Sequence, residues 1–213
     1  MKKSKVIFNK EDHTYKLGEV LLQGITGILS KHLFQDKYDN VPDFVLQRAA
    51  SRGTFIHECC ELVDTLGIIP DSIEAQNYIK LKEKHSLTSI SNEYIVSDEQ
   101  HFASAIDVVL SDYSLADIKT TAKFDNDYVS WQLSIYAYLF ELQNPKLKAN
   151  KLYGIWLCCG CRDKQHDNGI DQGEISDRGH EAYGQRYHSS SWGITRKQTA
   201  LFCSRSECTQ GCH

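Results

Sequence analysis

Apolar positions along the chain fall into two periods, and the switches between them divide it into elements. Short alternating runs come first, VIFN and then TYKLGEVLLQGITGILS, with Gly18 and Gly24 as turn points; they predict a hairpin and a lead-in segment within residues 1–40. From Pro42 and Asp43 the apolar residues recur at three and four, in DFVLQRAASRGTFIHECCELVDTLG, which predicts a long helix stopping at Gly67. A more polar helix is predicted over 73–85. Three runs rich in β-branched residues follow, EYIVS, HFASAIDVVL and SLADIKTT, the last two joined by the short connection SDY. DYVSWQLSIYAYLFELQ returns to the helical period, capped by Asn126 or Asp127 and ended before Asn144 and Pro145, and KLYGIWL reads as a final strand. This order, helix, three strands, helix, strand, predicts an α/β fold with a mixed central sheet flanked by helices.

The strand SLADIKTT breaks its own pattern, because Asp117 and Lys119 occupy one face of what otherwise reads as buried. If Ser111, Asp112 and Tyr113 form the loop, Leu110 faces Ser114, Asp107 faces Asp117, and Ala105 faces Lys119. The other face then carries Ile106, Val108, Leu110, Ala116 and Ile118, a coherent apolar set. Two facing carboxylates about 5 Å apart repel by roughly 3 kcal/mol at an effective dielectric near 20. Lys119 supplies one compensating charge, and a divalent cation is the natural source of the rest. Ala103, Ser104 and Ala105 are small, which would let a bulky backbone such as a phosphodiester come close. The flanking helices offer His57 and Glu61 on one face, a turn after Gly53, and Gln132 and Tyr136 on another.

Composition narrows the setting. No apolar run is long enough to span a bilayer, and MKKSKVIFNKEDH lacks the apolar middle of a signal peptide, so a cytosolic protein without membrane partners is expected. In that compartment the eight cysteines read as thiols or metal ligands rather than disulfides. The net charge of -4 gives no global attraction for nucleic acid, so any DNA-binding surface must be local.

The set RGTFIHE (52–58), SAIDVV (104–109), ADIKTT (116–121) and QLSIY (132–136) resembles the PD-(D/E)XK nuclease superfamily, in particular its RecB-like exonuclease branch. The likeness covers about residues 1–157, since HTYKLGEVLLQGITGIL is also similar to the start of phage-encoded members. It implies a restriction-endonuclease-like core and Mg²⁺- or Mn²⁺-dependent, exonucleolytic hydrolysis of DNA leaving 5′-phosphates, in phage or bacterial recombination, repair or defence. By the same resemblance, Asp107 and Asp117 hold the metal, the Ile118 carbonyl and His57 complete its shell, and Lys119 orients or deprotonates the attacking water. Gln132 and Tyr136 would steady Lys119 and the DNA strand. Arg52, with Arg48, would suit phosphate contacts if that face lines the groove. An imidazole ligand favours Mn²⁺ over an all-oxygen site. One departure is visible: a glycine often stands ahead of the first aspartate, where this chain has Ala103 and Ser104. DNA is the expected partner, with a homo-oligomer or a recombination protein as further candidates.

Each motif also has a plain reading. Asp117 and Lys119 could be a surface ion pair, His57 a satisfied helix histidine, Gln132 and Tyr136 the rim of a core helix, and the two arginines a solvated face. A structure-selective endonuclease would use the same centre, and a non-catalytic nucleic-acid-binding module would share the fold while usually lacking a carboxylate or the lysine. The stretch 158–213 differs from the rest, holding six of the eight cysteines and few large aliphatic residues. It reads as a disordered or aberrant, out-of-frame tail. The spacings of Cys203, Cys208 and Cys212 lack the close pair that would argue for an iron–sulfur cluster; a cysteine-rich metal-binding protein is the alternative that would need this tail.

Overall fold

The computed structural model describes residues 1–157 and 198–202. It is an α/β fold in which one mixed, eight-stranded sheet carries helices on both faces. β1 (Ile7–Asn9), β2 (Thr14–Leu17) and β3 (Val20–Gly24) form an antiparallel meander that leads into α1 (Ile25–His32) and a single 3-10 turn, Gln35–Tyr38. α2 (Asp43–Leu66) ends on Gly67, whose φ of 64° is the left-handed conformation that a glycine C-cap adopts without strain. α3 (Ile73–Lys84) is capped by Ser72, whose hydroxyl accepts from the Ala75 N–H. β4 (Ser89–Ser97), β5 (Phe102–Leu110) and β6 (Leu115–Lys119) precede α4 (Asn126–Gln143), where Asp125, one residue earlier than expected, is the N-cap. β7 (Leu152–Trp156) and β8 (Gln198–Phe202) pair in parallel beyond β6. β8 extends the sheet into the stretch assigned from sequence to a tail. Residues 158–197 and 203–213, with Cys158, Cys159, Cys161, Cys203, Cys208 and Cys212, lie outside the described residues.

The β5–β6 hairpin has the register predicted from its loop: Val108 pairs with Ala116, Val109 with Leu115, and the Leu110 N–H donates to the Ser114 carbonyl at 2.9 Å. Asp112 holds the turn by accepting the Ser114 N–H at 3.0 Å.

Edge sharing on β5 positions the site. β4 covers one edge of β5 from Ala103 to Leu110. The other edge is divided, β3 pairing in parallel at Phe102 and Ala103 and β6 antiparallel at Val108 and Val109. Between them the two neighbours part. There the Ala105 N–H finds the Tyr15 hydroxyl at 3.2 Å in place of a strand.

Two cores sit on the two faces of the sheet. On one, Leu115 and Val109 pack with Val129, Leu133 and Phe140 of α4; on the other, Val108, Leu110, Ala116 and Ile118 pack with Ile56 and Cys60 of α2 and with Tyr78 and Leu81 of α3. Ile106 departs from the predicted apolar set and belongs to the α4 side. The cause is a local change of face. In β4, Asn92 bonds Asp64 of α2 while Tyr94, two residues on, packs against Phe140 of α4, and Glu93 between them has a φ of 47°. The ladder pairs Asn92 with Val108 and Tyr94 with Ile106 and skips Glu93 and Asp107. Both strands switch faces at those two acids.

Candidate metal centre

Asp107 stands where β5 changes face and β6 leaves it, so its carboxylate reaches groups on both sides. Oδ2 accepts the Ile118 N–H at 2.6 Å, taking the place of a ladder bond just past the last regular pair. Oδ1 lies 3.7 Å from Nδ1 of His57 on α2. His57 is oriented from its other side, because Nε2 donates to the Ile118 carbonyl at 3.1 Å. A carbonyl can only accept, so the proton sits on Nε2, and in the neutral ring the Nδ1 lone pair points towards a carboxylate too distant for a hydrogen bond. Two electron-pair donors facing across such a gap suit a cation. A backbone carbonyl fixing the imidazole tautomer is the usual support of a ligating histidine.

Glu93 completes this group. Ligand atoms of His57, Glu93 and Asp107 all lie within 4.8 Å of one another. Burial, and then the neighbouring Asp107 charge, push the Glu93 carboxyl up to about 7. The sequence reading passed over Glu93 as the first residue of an ordinary strand. Nothing in the alternation of EYIVS marks it; the signal is its place across the ladder from Asp107, which needs the β4–β5 register.

Asp117 and Lys119 lie on the α4 side with Leu115. Asp117 is buried, with its Oδ2 2.7 Å from the Lys119 Nζ. Burial raises the Asp117 carboxyl to about 6; Lys119 opposes that shift and Asp107 adds to it. Lys119 loses solvation, yet the charges of Asp117 and Asp107 outweigh that loss and hold its pKa above the ordinary value. Gln132 and Tyr136 meet on the same face, the Gln132 Nε2 donating to the Tyr136 hydroxyl at 2.5 Å, and both are buried. The Gln132 Oε1 has no hydrogen-bond partner, and Asp117 Oδ2 has only the lysine charge beside it. Two buried acceptors left in this state leave room for a further donor or cation.

The expected residues thus form two adjoining lobes rather than one ring. His57, Glu93 and Asp107 make the first; Asp117, Lys119, Gln132 and Tyr136 make the second, with the Ile118 backbone bonded to both His57 and Asp107 at the junction. Asp117 is outside the set of ligand atoms within 4.8 Å, although its titration senses both Asp107 and His57.

Three further expectations meet a different arrangement. Ala103, Ser104 and Ala105 are buried rather than open to an approaching backbone, because the Tyr15 side chain lies over this edge of β5. Arg52 forms an ion pair with buried Glu74, tying α2 to α3. Glu61 pairs with Lys10 of the β1–β2 turn at 3.2 Å and adds negative charge near Glu93. Gly53 has a close neighbour, since a Cβ there would stand 3.5 Å from Thr120 Oγ1, just past Lys119.

A second buried acid is chemically quiet. Asp64 accepts from Tyr78 at 2.7 Å, Ser89 at 2.9 Å and Asn92 at 2.8 Å, and is paired with Lys82, which locks α2, α3 and β4 together.

Comparison with protein-family models, curated proteins and solved structures gave no match. Among the described residues no helix is long and apolar enough to cross a membrane.

Proposed function

We propose that this chain is a Mg²⁺- or Mn²⁺-dependent deoxyribonuclease with a restriction-endonuclease-like core, of the RecB-like branch of the PD-(D/E)XK superfamily. The observation that carries the reading is the position of Asp107, a carboxylate shared between an oriented imidazole on one side and an Asp–Lys pair on the other. Two carboxylates and an imidazole converge here, with the Asp117–Lys119 pair adjoining them, and Glu93 makes neither a hydrogen bond nor an ion pair among the described residues. Oxygen donors with one imidazole suit Mg²⁺ and, more strongly, Mn²⁺.

Asp107, His57 and Glu93 would hold the ion from the α2 side and Asp117 from the α4 side. When bound, the ion would supply Lewis acidity towards a phosphoryl group and a more acidic water. Lys119, beside Asp117, would orient or deprotonate the attacking water through Nζ and offset negative charge growing on the phosphoryl oxygens. His57 is fixed in one tautomer by the Ile118 carbonyl, so its ligating nitrogen is presented without reorganisation. Tyr136 and Gln132 form a buried brace behind the Asp117–Lys119 pair. Its burial keeps the Tyr136 phenol un-ionised, the pKa being raised well above the ordinary value.

The substrate class is DNA, cleaved from an end. End-labelled linear DNA and closed circular DNA, each incubated with Mg²⁺, Mn²⁺ or EDTA, test both parts: metal-dependent loss of the linear form alone is expected. Cleavage of circles would move the reading to an endonuclease of the same centre, and cleavage in EDTA would overturn it.

A further inference from the structure

We propose that α2 is the interface of an antiparallel homodimer, in which its outer face pairs with the same face of a second copy of this chain. This proposal does not depend on the nuclease reading.

The first half of α2 is barely covered by the other described residues, and exposed side chains continue along its outer face to the C-terminal end. Phe44 is 71% exposed, Phe55 54% and Leu62 37%, values that large apolar side chains on a core helix do not have. They are not scattered. Phe44, Arg48, Ser51, Phe55, Glu58 and Leu62 follow one another at alternating steps of four and three, the spacing of a coiled-coil seam, and all six are exposed. The seam is about 27 Å long at 1.5 Å per residue.

The order of residues along this seam selects the partner. Each member has a counterpart at equal distance on the other side of Gly53: Ser51 with Phe55, Arg48 with Glu58, Phe44 with Leu62. An antiparallel pair of α2 helices crossing at Gly53 therefore sets Arg48 against Glu58 of the other copy, and Phe44 against Leu62, twice over by the two-fold axis. That is the self-complementary pattern an isologous interface requires. A parallel pair would instead place Arg48 on Arg48 and Glu58 on Glu58. No hydrogen bond or ion pair holds Arg48 or Glu58 among the described residues, so both charges are available to a second chain.

The seam also leaves the candidate metal centre open. At about 100° per residue, Phe55 and Leu62 point some 140–160° away from His57 around the helix. Two copies joined by α2 would carry their centres on opposite sides of the pair.

Sedimentation velocity of the full chain over a wide concentration range tests this, with R48E, E58R and the R48E/E58R double variant. The wild type is expected to move from monomer to dimer mass as concentration rises. Either single variant sets like charges together in both symmetry-related pairs and should weaken dimerisation at least tenfold, and the double variant should restore it. The substituted positions are exposed, and a cooperative thermal melt, matching the wild type at concentrations where both are monomeric, confirms that each variant folds. Monomer mass at every concentration would overturn the proposal and leave the seam to a different partner. So would a dimer that ignores the single variants, or a double variant that stays monomeric.

Discussion

His57 and Asp107 face each other across 3.7 Å, one from a helix and one from a strand, too far apart for a hydrogen bond. The geometry follows from the Ile118 peptide, which takes the imidazole Nε2–H on its carbonyl and gives its own N–H to Asp107. One peptide unit aligns both ligands. His57→Ala is expected to weaken Mn²⁺ binding by about 10- to 100-fold, the range typical of a lost supporting or ligating group, while leaving the fold intact because the ring is partly exposed. Calorimetric titration with Mn²⁺ measures this directly, and unchanged affinity would remove His57 from the site.

Glu93→Gln separates stability from function. Removing a carboxylate held beside Asp107 in a poorly solvated place should raise thermal stability in EDTA, by about 1–2 kcal/mol. The same change should lower Mn²⁺ affinity and abolish the stabilisation that Mn²⁺ confers. Thermal melts with and without Mn²⁺ read both effects, and a variant less stable in EDTA would mean that the carboxylate has a structural partner.

Two raised carboxyl pKa values fix a pH dependence. Glu93 goes from 4.5 to about 7 and Asp117 from 3.8 to about 6 in the folded chain. Between the ordinary and raised values the folded protein holds protons that the unfolded chain has released. Stability is therefore lost as pH rises from about 4 to about 7. In EDTA the contribution of these groups is expected to make the protein melt lower at pH 8 than at pH 5.5. Mg²⁺ or Mn²⁺, which compete with those protons, should raise the melting temperature more at pH 8 than at pH 5.5. Equal metal-induced shifts at the two pH values would count against ligation by these carboxylates.

Asp64 makes the contrasting case. Its carboxylate accepts from Tyr78, Ser89 and Asn92 and pairs with Lys82, so Asp64→Ala leaves a half-buried ammonium and several donors without their acceptor. A loss of about 3–5 kcal/mol is expected from chemical denaturation, with Mn²⁺ affinity of the folded fraction unchanged.

Much of this arrangement was legible in the chain. The hairpin register followed from three loop residues, and the structure keeps it at Val108–Ala116 and Val109–Leu115; the expected continuation to Asp107 facing Asp117 falls past the last regular pair, where the Asp107 carboxylate takes the Ile118 N–H instead. The bounds of α2 were readable from the three-four period and Gly67. What was not legible is the change of face at Glu93 and Asp107, since strand periodicity assumes that alternation never breaks. That assumption put Ile106 on the wrong side and hid Glu93. Tyr15 covering Ala105 was equally out of reach, because it joins residues ninety positions apart through a sheet edge shared by two strands. β8 escaped notice because QTALF is one short apolar run in a stretch otherwise poor in them.

The central claim is that Asp107, Asp117 and Lys119 act together on a phosphodiester. Its most direct test is cleavage of 5′- and 3′-end-labelled linear DNA in Mg²⁺ or Mn²⁺ by the wild type beside Asp117→Ala, with melting curves to confirm that the variant folds. Metal-dependent cleavage by the wild type that falls by at least about 10³-fold in Asp117→Ala is the predicted result. Cleavage at the wild-type rate by folded Asp117→Ala, or none by the wild type with either metal, would contradict it.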